Sequence, residues 1–418
     1  MKLAVIGAGS TYTPEVVDGL VRLRSLLPVD DLALCDPAEE RLAVVSGLAR
    51  RMLDRAGHPA RVTTTASLDE AVEGADGVLI QIRVGGQAAR MVDESLPLAC
   101  GCLGQETTGF GGLAKALRTV PVVLEIADRV RALAPGAWIV DFTNPVGIVT
   151  KGLLDAGHKA VGLCSAAVVF QKHFAKVLEV EPGRIELDHL GLNHLTWEVG
   201  VRLDGEDVLP ALVGEHVDRV APATGLPPEL VRRLGVVPSY YLHYFYEHDA
   251  VVEHQRETKS RAEEVAEIEA ELLRMYADET LAEKPELLKR RGGAGYSEAA
   301  VELIASLLGS AGEGRHVINL RNDGALPFLA DDAVVEVPAR VTPGGVEPVA
   351  LPQLDAVARG LVAHVSAYED LALDAALHGG KERVFRALLA HPLVGQAELA
   401  ETLAGKLIEA NRQYLAWV

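Results

Sequence analysis

The sequence predicts an α/β fold, in which a doubly wound parallel sheet at the N-terminus is followed by an α+β second domain. Two observations in the first 165 residues predict the parallel sheet. Short apolar runs of strand length alternate with segments of helical periodicity, and the first run ends at the glycine turn Gly7-Ala8-Gly9. A third observation predicts the second domain, since longer strand-like segments and charged helical segments begin after about residue 165.

The first domain is predicted to begin with a strand over residues 1–6, which are apolar apart from one lysine and end at Gly7. A helix should follow over residues 14–26, because apolar residues recur there at helical spacing and a proline suits the first turn. The later elements are a strand over residues 32–36, a helix over residues 38–55, and strands over residues 77–82 and 137–142. In such a sheet, ligands bind at the carboxyl ends of the strands.

The second domain is predicted to contain strands between residues 185 and 203, where the chain carries β-type patterning. Residues 252–283 form a long charged stretch with one apolar helical face, which indicates a solvated helix. Residues 333–341 predict a strand with Pro338 at an edge or a bulge, because proline cannot donate to the ladder. The tail from Leu354 is mostly helical in pattern.

The composition of the 418-residue chain is that of a globular protein, with 49% hydrophobic and 24% charged residues. Its net charge of −19 would repel a phosphate backbone, so no nucleic-acid partner is expected. The four cysteines are too few for a disulfide scaffold and suit a reducing compartment. The apolar stretch at the start is too short for a signal-peptide core, and no apolar run approaches the length of a membrane span. We therefore expect a cytoplasmic protein with no membrane partner.

The turn after the first strand has the small residues of a dinucleotide-binding loop. Gly7, Gly9, Ser10 and Thr11 would let backbone N–H groups reach a pyrophosphate at the start of the next helix. A third glycine is missing, so this turn alone agrees equally well with a simple tight turn. Asp36 favours NAD and disfavours the 2′-phosphate of NADP, because its carboxylate can accept hydrogen bonds from the ribose. Asp36 can also act as a helix cap.

Three polar side chains follow the later apolar segments. Asn144 lies in a turn that would project into the crevice at the sheet edge, although an Asn-Pro turn with a purely local role has similar weight. Cys164 and His194 offer one thiol and one imidazole, which would leave coordination positions of a metal open for substrate oxygens. Judged by spacing alone, a single cysteine and a single histidine 30 residues apart are more often core residues than metal ligands.

Tyrosines and arginines complete the candidate set. Residues 238–246 hold four of the nine tyrosines, and a tyrosine near a metal or an arginine can act as a base, although aromatic clusters usually fill a core. Arg83, Arg90 and the glycine-rich stretch 290–297 add the cationic spots that a phosphate pocket requires. Ordinary surface arginines are the alternative explanation.

Strings along nearly the whole chain resemble glycoside hydrolase family four, the NAD- and metal-dependent phosphoglycosidases, and most closely its 6-phospho-β-glucosidases. No single string is decisive, but the presence of so many strings in the same order as in the family makes the resemblance specific. In chain order they are Ile6–Pro14, Ile82–Gly86 with Arg90 and Asp93-Glu94, Gly104–Gly109 with Gly111-Gly112, Asp141–Pro145, Gly162–Cys164, Gly191–His194, Pro238–Tyr246, Arg291–Gly293 and Val335–Pro338.

The resemblance implies a Rossmann-like NAD-binding domain over residues 1–165. Residues 166–418 would form a domain of the lactate/malate dehydrogenase type that binds metal and substrate and mediates oligomerisation. The expected assembly is a homodimer or a homotetramer. The expected substrate is a phosphorylated disaccharide or an aryl glucoside.

The reaction that the resemblance implies begins with transfer of hydride from carbon 3 of the sugar to NAD⁺. A protein base then removes the acidified proton from carbon 2, the aglycone is eliminated, water adds, and the hydride returns. A divalent metal, commonly manganese in this family, would be held by Cys164 and His194 and would stabilise the enediolate. Tyr241 is expected to be the base, with Tyr240 and Tyr244 as rivals because spacing does not settle the register. The expected contacts to the phosphorylated sugar are Arg90, Asn144, Asn193 and Arg291.

One position departs from the family pattern. Ser165 follows the metal cysteine, where β-type members usually carry asparagine and α-type members aspartate. A hydroxyl cannot serve as a carboxylic acid, so an α-type mechanism that relies on the aspartate is disfavoured, and the sugar preference stays open. Two alternatives are an NAD-dependent 2-hydroxy-acid dehydrogenase, which would need a His–Asp pair and no metal, and a non-catalytic sensor of sugar phosphates or NAD.

Overall fold

The protein is described by a computed structural model that covers residues 1–292 and 296–418. The strands of this described part are β1 (Lys2–Ile6), β2 (Asp31–Cys35), β3 (Arg61–Thr65), β4 (Gly77–Ile80), β5 (Trp138–Asp141), β6 (Ala160–Gly162), β7 (Ile185–Leu192), β8 (Leu195–Leu203), β9 (Glu206–Asp207), β10 (Val237–Pro238), β11 (Gly314–Arg321), β12 (Val334–Thr342) and β13 (Gly345–Pro348). They form one mixed sheet.

The helices surround this sheet. In the described part of the chain they are α1 (Thr13–Arg22), α2 (Glu39–Arg55), α3 (Leu68–Val72), α4 (Gly86–Ala99), α5 (Gly109–Leu133), α6 (Val146–Asp155), α7 (Ala166–Leu178), α8 (Leu209–Val213), α9 (Val217–Val220), α10 (Pro228–Leu234), α11 (His243–Tyr246), α12 (His248–Glu257), α13 (Arg261–Tyr276), α14 (Leu288–Arg291), α15 (Tyr296–Leu308), α16 (Ala356–His378), α17 (Lys381–Ala390) and α18 (Ala397–Asn411). None of them combines the length and apolar character that a membrane crossing requires.

The N-terminal half confirms the predicted doubly wound parallel sheet. Its strands lie in the order β3-β2-β1-β4-β5-β6, and every neighbouring pair is parallel. The order reverses between β1 and β4, which is where such folds bind ligands. The predicted helix over residues 14–26 is shorter than expected and ends at Arg22, because the chain must turn to bury Leu27 and Val29 completely.

The C-terminal half continues the same sheet with antiparallel strands. Gly162 of β6 pairs with Asn319 of β11, and β11, β12, β7 and β8 follow. The expectation that Pro338 lies at an edge or a bulge is wrong, because β12 is an interior strand. Pro338 pairs with Val317 on β11, and on the other side of β12 it lies where pairing with β7 gives way to pairing with β13. This change of partner accommodates the missing N–H.

Two large hydrophobic clusters make up most of the core of the described part of the chain. The larger one spans the parallel sheet, its helices and the C-terminal helices. The smaller one joins α7 to β7, β8 and α8–α10, so α7 packs with the second domain. The charged stretch predicted as one helix consists of α12 and α13, and Ser260 and Glu263 form a capping box at the start of α13.

Candidate active site

A cavity of about 1070 Å³ opens at the carboxyl ends of the parallel strands, and residues of both domains line it. We call the part around Gly7–Ser10 and Asp36 the glycine end, and the part around Cys164, His194 and Tyr241 the cysteine end. The residues expected from the sequence that line the cavity are Gly7, Gly9, Ser10, Asp36, Arg90, Asn144, Cys164, His194, Tyr241 and Arg291. Thr11 and Asn193 lie behind its wall.

The glycine end is shaped by two glycines whose Cβ atoms, if present, would lie too close to neighbouring atoms. Gly7 has φ +87°, and a Cβ there would lie 2.8 Å from the carbonyl oxygen of Gln81. A Cβ at Gly9 would lie 2.9 Å from the carboxylate of Asp36, which accepts a hydrogen bond of 2.9 Å from the Gly9 N–H. Asp36 also accepts from the Ala38 N–H at 2.9 Å, in a turn before α2, and it does not cap that helix. This backbone leaves room for a dinucleotide beside Asp36.

A buried carboxylate fastens the glycine turn to the second domain. Glu269 on α13 accepts hydrogen bonds from Arg41 at 3.1 Å, Arg291 at 2.9 Å and the Thr11 hydroxyl at 3.3 Å. Burial alone would raise the pKa of Glu269, but Arg291 and Arg41 hold it below its usual value. Arg291 therefore lies at the glycine end. Gly293, part of the glycine-rich string, lies outside the described residues.

The cysteine end brings a thiol and a neutral imidazole to the same wall. Cys164 follows β6, and His194 occupies the two-residue turn between β7 and β8 with φ +61°. Burial lowers the pKa of His194 to about 4, so the ring is neutral and has a lone pair for a metal. Its Nδ1 atom lies 2.8 Å from the Thr107 hydroxyl.

A divalent metal fits this donor set. Among residues 1–292 and 296–418, no group of three or more His, Cys, Asp and Glu side chains is arranged to hold a metal. Cys164 and His194, which both line the cavity, would supply two ligands and leave the remaining positions for substrate oxygens.

The tyrosine block lies against His194. The Tyr241 ring stacks on the imidazole with centroids 3.6 Å apart and an interplanar angle of 13°. Tyr240 and Tyr244 also line the cavity. Burial raises the pKa of Tyr240 and raises that of Tyr244 to about 12, so a phenolate at either position is costly.

A buried charge cluster between the two ends includes residues that the sequence analysis did not single out. Glu106 contacts Arg83, Lys115 at 2.7 Å and Arg90 at 3.3 Å, and Arg90 also contacts Glu94 at 2.8 Å. Burial would raise the pKa of Glu106, but the cations hold it well below its usual value, whereas burial lowers the pKa of Lys115 to about 7. The sequence feature that could have pointed to this cluster is Lys115, because it lies in an apolar part of α5.

A second buried network holds the turn that carries His194. The Asn193 amide donates to Glu336 at 2.7 Å, and His189 lies 3.0 Å from Glu336 and 2.7 Å from Glu198. Burial would lower the pKa of His189, but Glu198 and Glu336 raise it to about 10. Asn319 also donates to Glu336, at 2.9 Å. Asn193 thus supports the hairpin from behind the cavity wall.

Comparisons with known proteins agree with this architecture. The model of the family "Family 4 glycosyl hydrolase" matches residues 2–180, and that of its C-terminal domain matches residues 189–394. A probable 6-phospho-beta-glucosidase of Bacillus subtilis is 38% identical over 99% of this chain and 97% of its own. A phospho-alpha-glucosidase of Clostridium acetobutylicum is 30% identical over 99% of this chain and 98% of its own.

Solved structures give the same result. A 6-phospho-beta-glucosidase from Thermotoga maritima, solved with manganese, NAD⁺ and glucose-6-phosphate, has a TM-score of 0.92 and 33% identity, with 99% of each chain covered. A malate dehydrogenase from Salinibacter ruber, at 18% identity and a TM-score of 0.55 over 90% of this chain and 97% of its own, shows the fold alone. The fold class and the family expected from the sequence are confirmed: this chain is a glycoside hydrolase of family 4.

Proposed function

We propose that this enzyme hydrolyses 6-phospho-β-glucosides with the help of NAD and a divalent metal, manganese being the first candidate. The observation that carries the proposal is a single cavity in which the glycine end faces the Cys164, His194 and Tyr241 side chains. The β-type preference is supported by the higher identity to the Bacillus subtilis relative than to the Clostridium acetobutylicum relative, 38% against 30%.

The two bound groups would be held at opposite ends of the cavity. Gly7, Gly9 and Asp36 would hold NAD, and Cys164 and His194 would hold the metal. When bound, NAD supplies a reversible hydride acceptor for carbon 3, and the metal supplies a Lewis acid for the oxygens on carbons 2 and 3.

Tyr241 is the proposed base that removes the proton from carbon 2 once carbon 3 is a ketone. Its ring contacts His194, so a cation at His194 would lower the cost of forming the phenolate. Tyr240 and Tyr244 are the rival candidates, because both also line the cavity. Loss of the aglycone from carbon 1, addition of water and return of the hydride complete the hydrolysis.

The charge cluster provides the attraction for the phosphate. Arg83, Arg90 and Lys115 face Glu106 and Glu94, so three cationic side chains are opposed by two carboxylates when Lys115 is protonated. An excess of buried positive charge favours an anionic ligand. The proposed roles are sugar-phosphate binding for Arg90 and Asn144, phosphate binding for Arg291, and support of the metal-binding turn for Asn193.

The test is cleavage of p-nitrophenyl-β-glucoside 6-phosphate in heavy water. We expect release of nitrophenol that requires NAD⁺ and manganese, stops with a chelator, and leaves deuterium at carbon 2 of the sugar. Ordinary displacement at carbon 1 leaves that hydrogen untouched. Full activity after removal of all nicotinamide would contradict the proposal.

The same assay separates the alternatives. A 2-hydroxy-acid dehydrogenase would retain activity toward its acid after chelation, and family membership gives that alternative no support. A sensor would bind NAD and sugar phosphate without releasing nitrophenol. Ser165, which lines the cavity beside Cys164, is the feature that motivates this second alternative.

Location and assembly are also proposed. The mechanism requires Cys164 as a thiolate, which suits the reducing cytoplasm. We expect a homodimer or a homotetramer, and sedimentation velocity would measure it.

A further inference from the structure

Residues 104–108 belong to the loop that joins α4 to α5, and Gln105 and Thr107 among them line the cavity, yet the proposed function gives these two polar residues no role. Three glycines press its backbone against the neighbouring helices. A Cβ at Gly104 would collide with the carbonyl oxygen of Glu94, and one at Gly111 with that of Gln105. A Cβ at Gly112 would lie 2.8 Å from the Thr107 backbone. These close backbone contacts on both sides fix the position of the loop.

The Gln105 amide has one orientation within this loop. Its Oε1 atom accepts hydrogen bonds from the backbone N–H groups of Thr107 and Thr108, the second at 3.0 Å. Backbone N–H groups only donate, so this atom must be the amide oxygen. The amide nitrogen is then left to donate to Tyr244, whose side chain is hydrogen-bonded to Gln105.

The orientation of Gln105 sets the direction of the next hydrogen bond. The Thr107 hydroxyl lies 2.9 Å from Gln105 Oε1 and 2.8 Å from His194 Nδ1, and it has a single proton. Two oxygens 2.9 Å apart repel one another unless a proton lies between them, so the hydroxyl donates to Gln105. His194 Nδ1 must then be the donor to Thr107.

We infer that Gln105 and Thr107 are positioning residues that hold His194 in the Nδ1–H tautomer and so leave its Nε2 lone pair for a divalent cation. The inference rests on the proposed metal-binding function. A neutral imidazole has one protonated nitrogen, and the hydrogen bond of that nitrogen decides which atom can bind metal. Without this contact, part of the population would carry the proton on Nε2 and would have to rearrange before binding.

The first test measures Mn²⁺ affinity by electron paramagnetic resonance of the free ion. Thr107→Val keeps the side-chain shape and removes the hydroxyl, and we expect it to weaken Mn²⁺ binding by about 10- to 100-fold. Thr107→Ser should retain most of the affinity. Thr108→Val is the matched control, because Thr108 lies in the same loop and its hydroxyl contacts His391 rather than His194. NAD affinity and cooperative thermal unfolding show whether each variant is folded.

The second test needs no metal. Long-range ¹H–¹⁵N spectra of the histidine-labelled, metal-free protein report the tautomer, and His194→Gln identifies the His194 signal by its loss. We expect Nδ1–H in the wild type and a mixture of tautomers in Thr107→Val. An Nε2–H wild type, or equal Mn²⁺ affinity in wild type and Thr107→Val, would overturn the inference. A wild type that binds no Mn²⁺ would instead overturn the proposed function, while the spectra would still test the tautomer.

Discussion

The glycine end and the cysteine end of the cavity are assembled in different ways. The glycine end comes mainly from one strand, one turn and the next strand, and its key contact joins Gly9 to Asp36, 27 positions away. The cysteine end combines Thr107, Cys164, His194 and Tyr241, each from a different segment of the chain. The proposed dinucleotide site is therefore built largely from local backbone geometry, whereas the proposed metal and base site depends on tertiary packing.

The two ends of the cavity also differ in their ionisable groups. At the glycine end Glu269 faces the two arginines Arg41 and Arg291, which are partly exposed. At the cysteine end burial lowers the pKa of His194 to about 4, and in the charge cluster between the two ends burial lowers that of Lys115 to about 7. The neutral His194 ring agrees with the proposal that proton transfer takes place at the cysteine end. The two ends should therefore respond separately to substitution.

The strongest test of this separation is His194→Ala. Removing one of two proposed metal ligands should lower turnover by at least about 10³-fold, because the charge on the substrate would lose its stabilisation. NAD affinity, measured by fluorescence titration, should stay within about 2-fold of the wild type if the two ends are independent. The exposed His364 provides the control as His364→Ala. Unchanged turnover in His194→Ala would remove this residue from the site.

Tyr241→Phe sharpens the comparison within the cysteine end. Loss of the general base should slow cleavage by roughly 10²- to 10⁴-fold and slow deuterium incorporation at carbon 2 to the same extent. Mn²⁺ affinity should change little, because the ring that stacks on His194 is kept. Tyr240→Phe and Tyr244→Phe are the controls. A larger loss in either of them would move the role of base to that residue.

The network behind His194 predicts a pH-dependent stability. Glu198 and Glu336 raise the folded-state pKa of His189 to about 10, above its usual value near 6.5. The stabilisation that charged His189 contributes is therefore full below about pH 6.5, and it is lost as the pH rises through about 10. His189→Gln should lower the free energy of unfolding by about 3 kcal/mol at pH 6. Urea unfolding at pH 6, 8 and 10 should show this difference shrinking, and a constant difference would contradict the charged state.

The smallest expected effect is at the glycine end. In Gly9→Ala the added Cβ would lie 2.9 Å from the Asp36 carboxylate and would displace it from its hydrogen bond with the Gly9 N–H. Loss of such a bond, about 1.5 kcal/mol, should weaken NAD binding by about 10-fold and leave Mn²⁺ affinity unchanged. Gly136→Ala is the control, because a Cβ there meets nothing within 4 Å. A parallel loss of Mn²⁺ affinity would show that the ends are coupled.

The sequence predicts the glycine end well because its parts are consecutive. A strand, a glycine turn and an acid at the end of the next strand are visible as a pattern, and the structure places Gly7 and Asp36 accordingly. Helix ends and the place of Pro338 were harder, because they depend on what the chain packs against later. The shortened α1 and the interior β12 are examples.

The cysteine end could be predicted only through the family resemblance. Cys164 and His194 are 30 positions apart, and spacing alone favours a core assignment. The partners of the supporting networks are still farther apart, since His189 and Glu336 are separated by 147 positions. No local pattern relates such residues, so the contacts of Thr107 with His194 and of Lys115 with Glu106 become visible only in the fold.

The pairing of Gly162 with Asn319 joins the parallel and antiparallel halves into one hydrogen-bonded sheet. Rotating one half relative to the other would break the hydrogen bonds between β6 and β11. We therefore expect no domain-closure motion between the two halves of the sheet. Substrate and product would then enter and leave past the loops at the rim of the cavity. In the proposed reaction, the distance from the nicotinamide to the metal would stay constant from the removal of the hydride to its return.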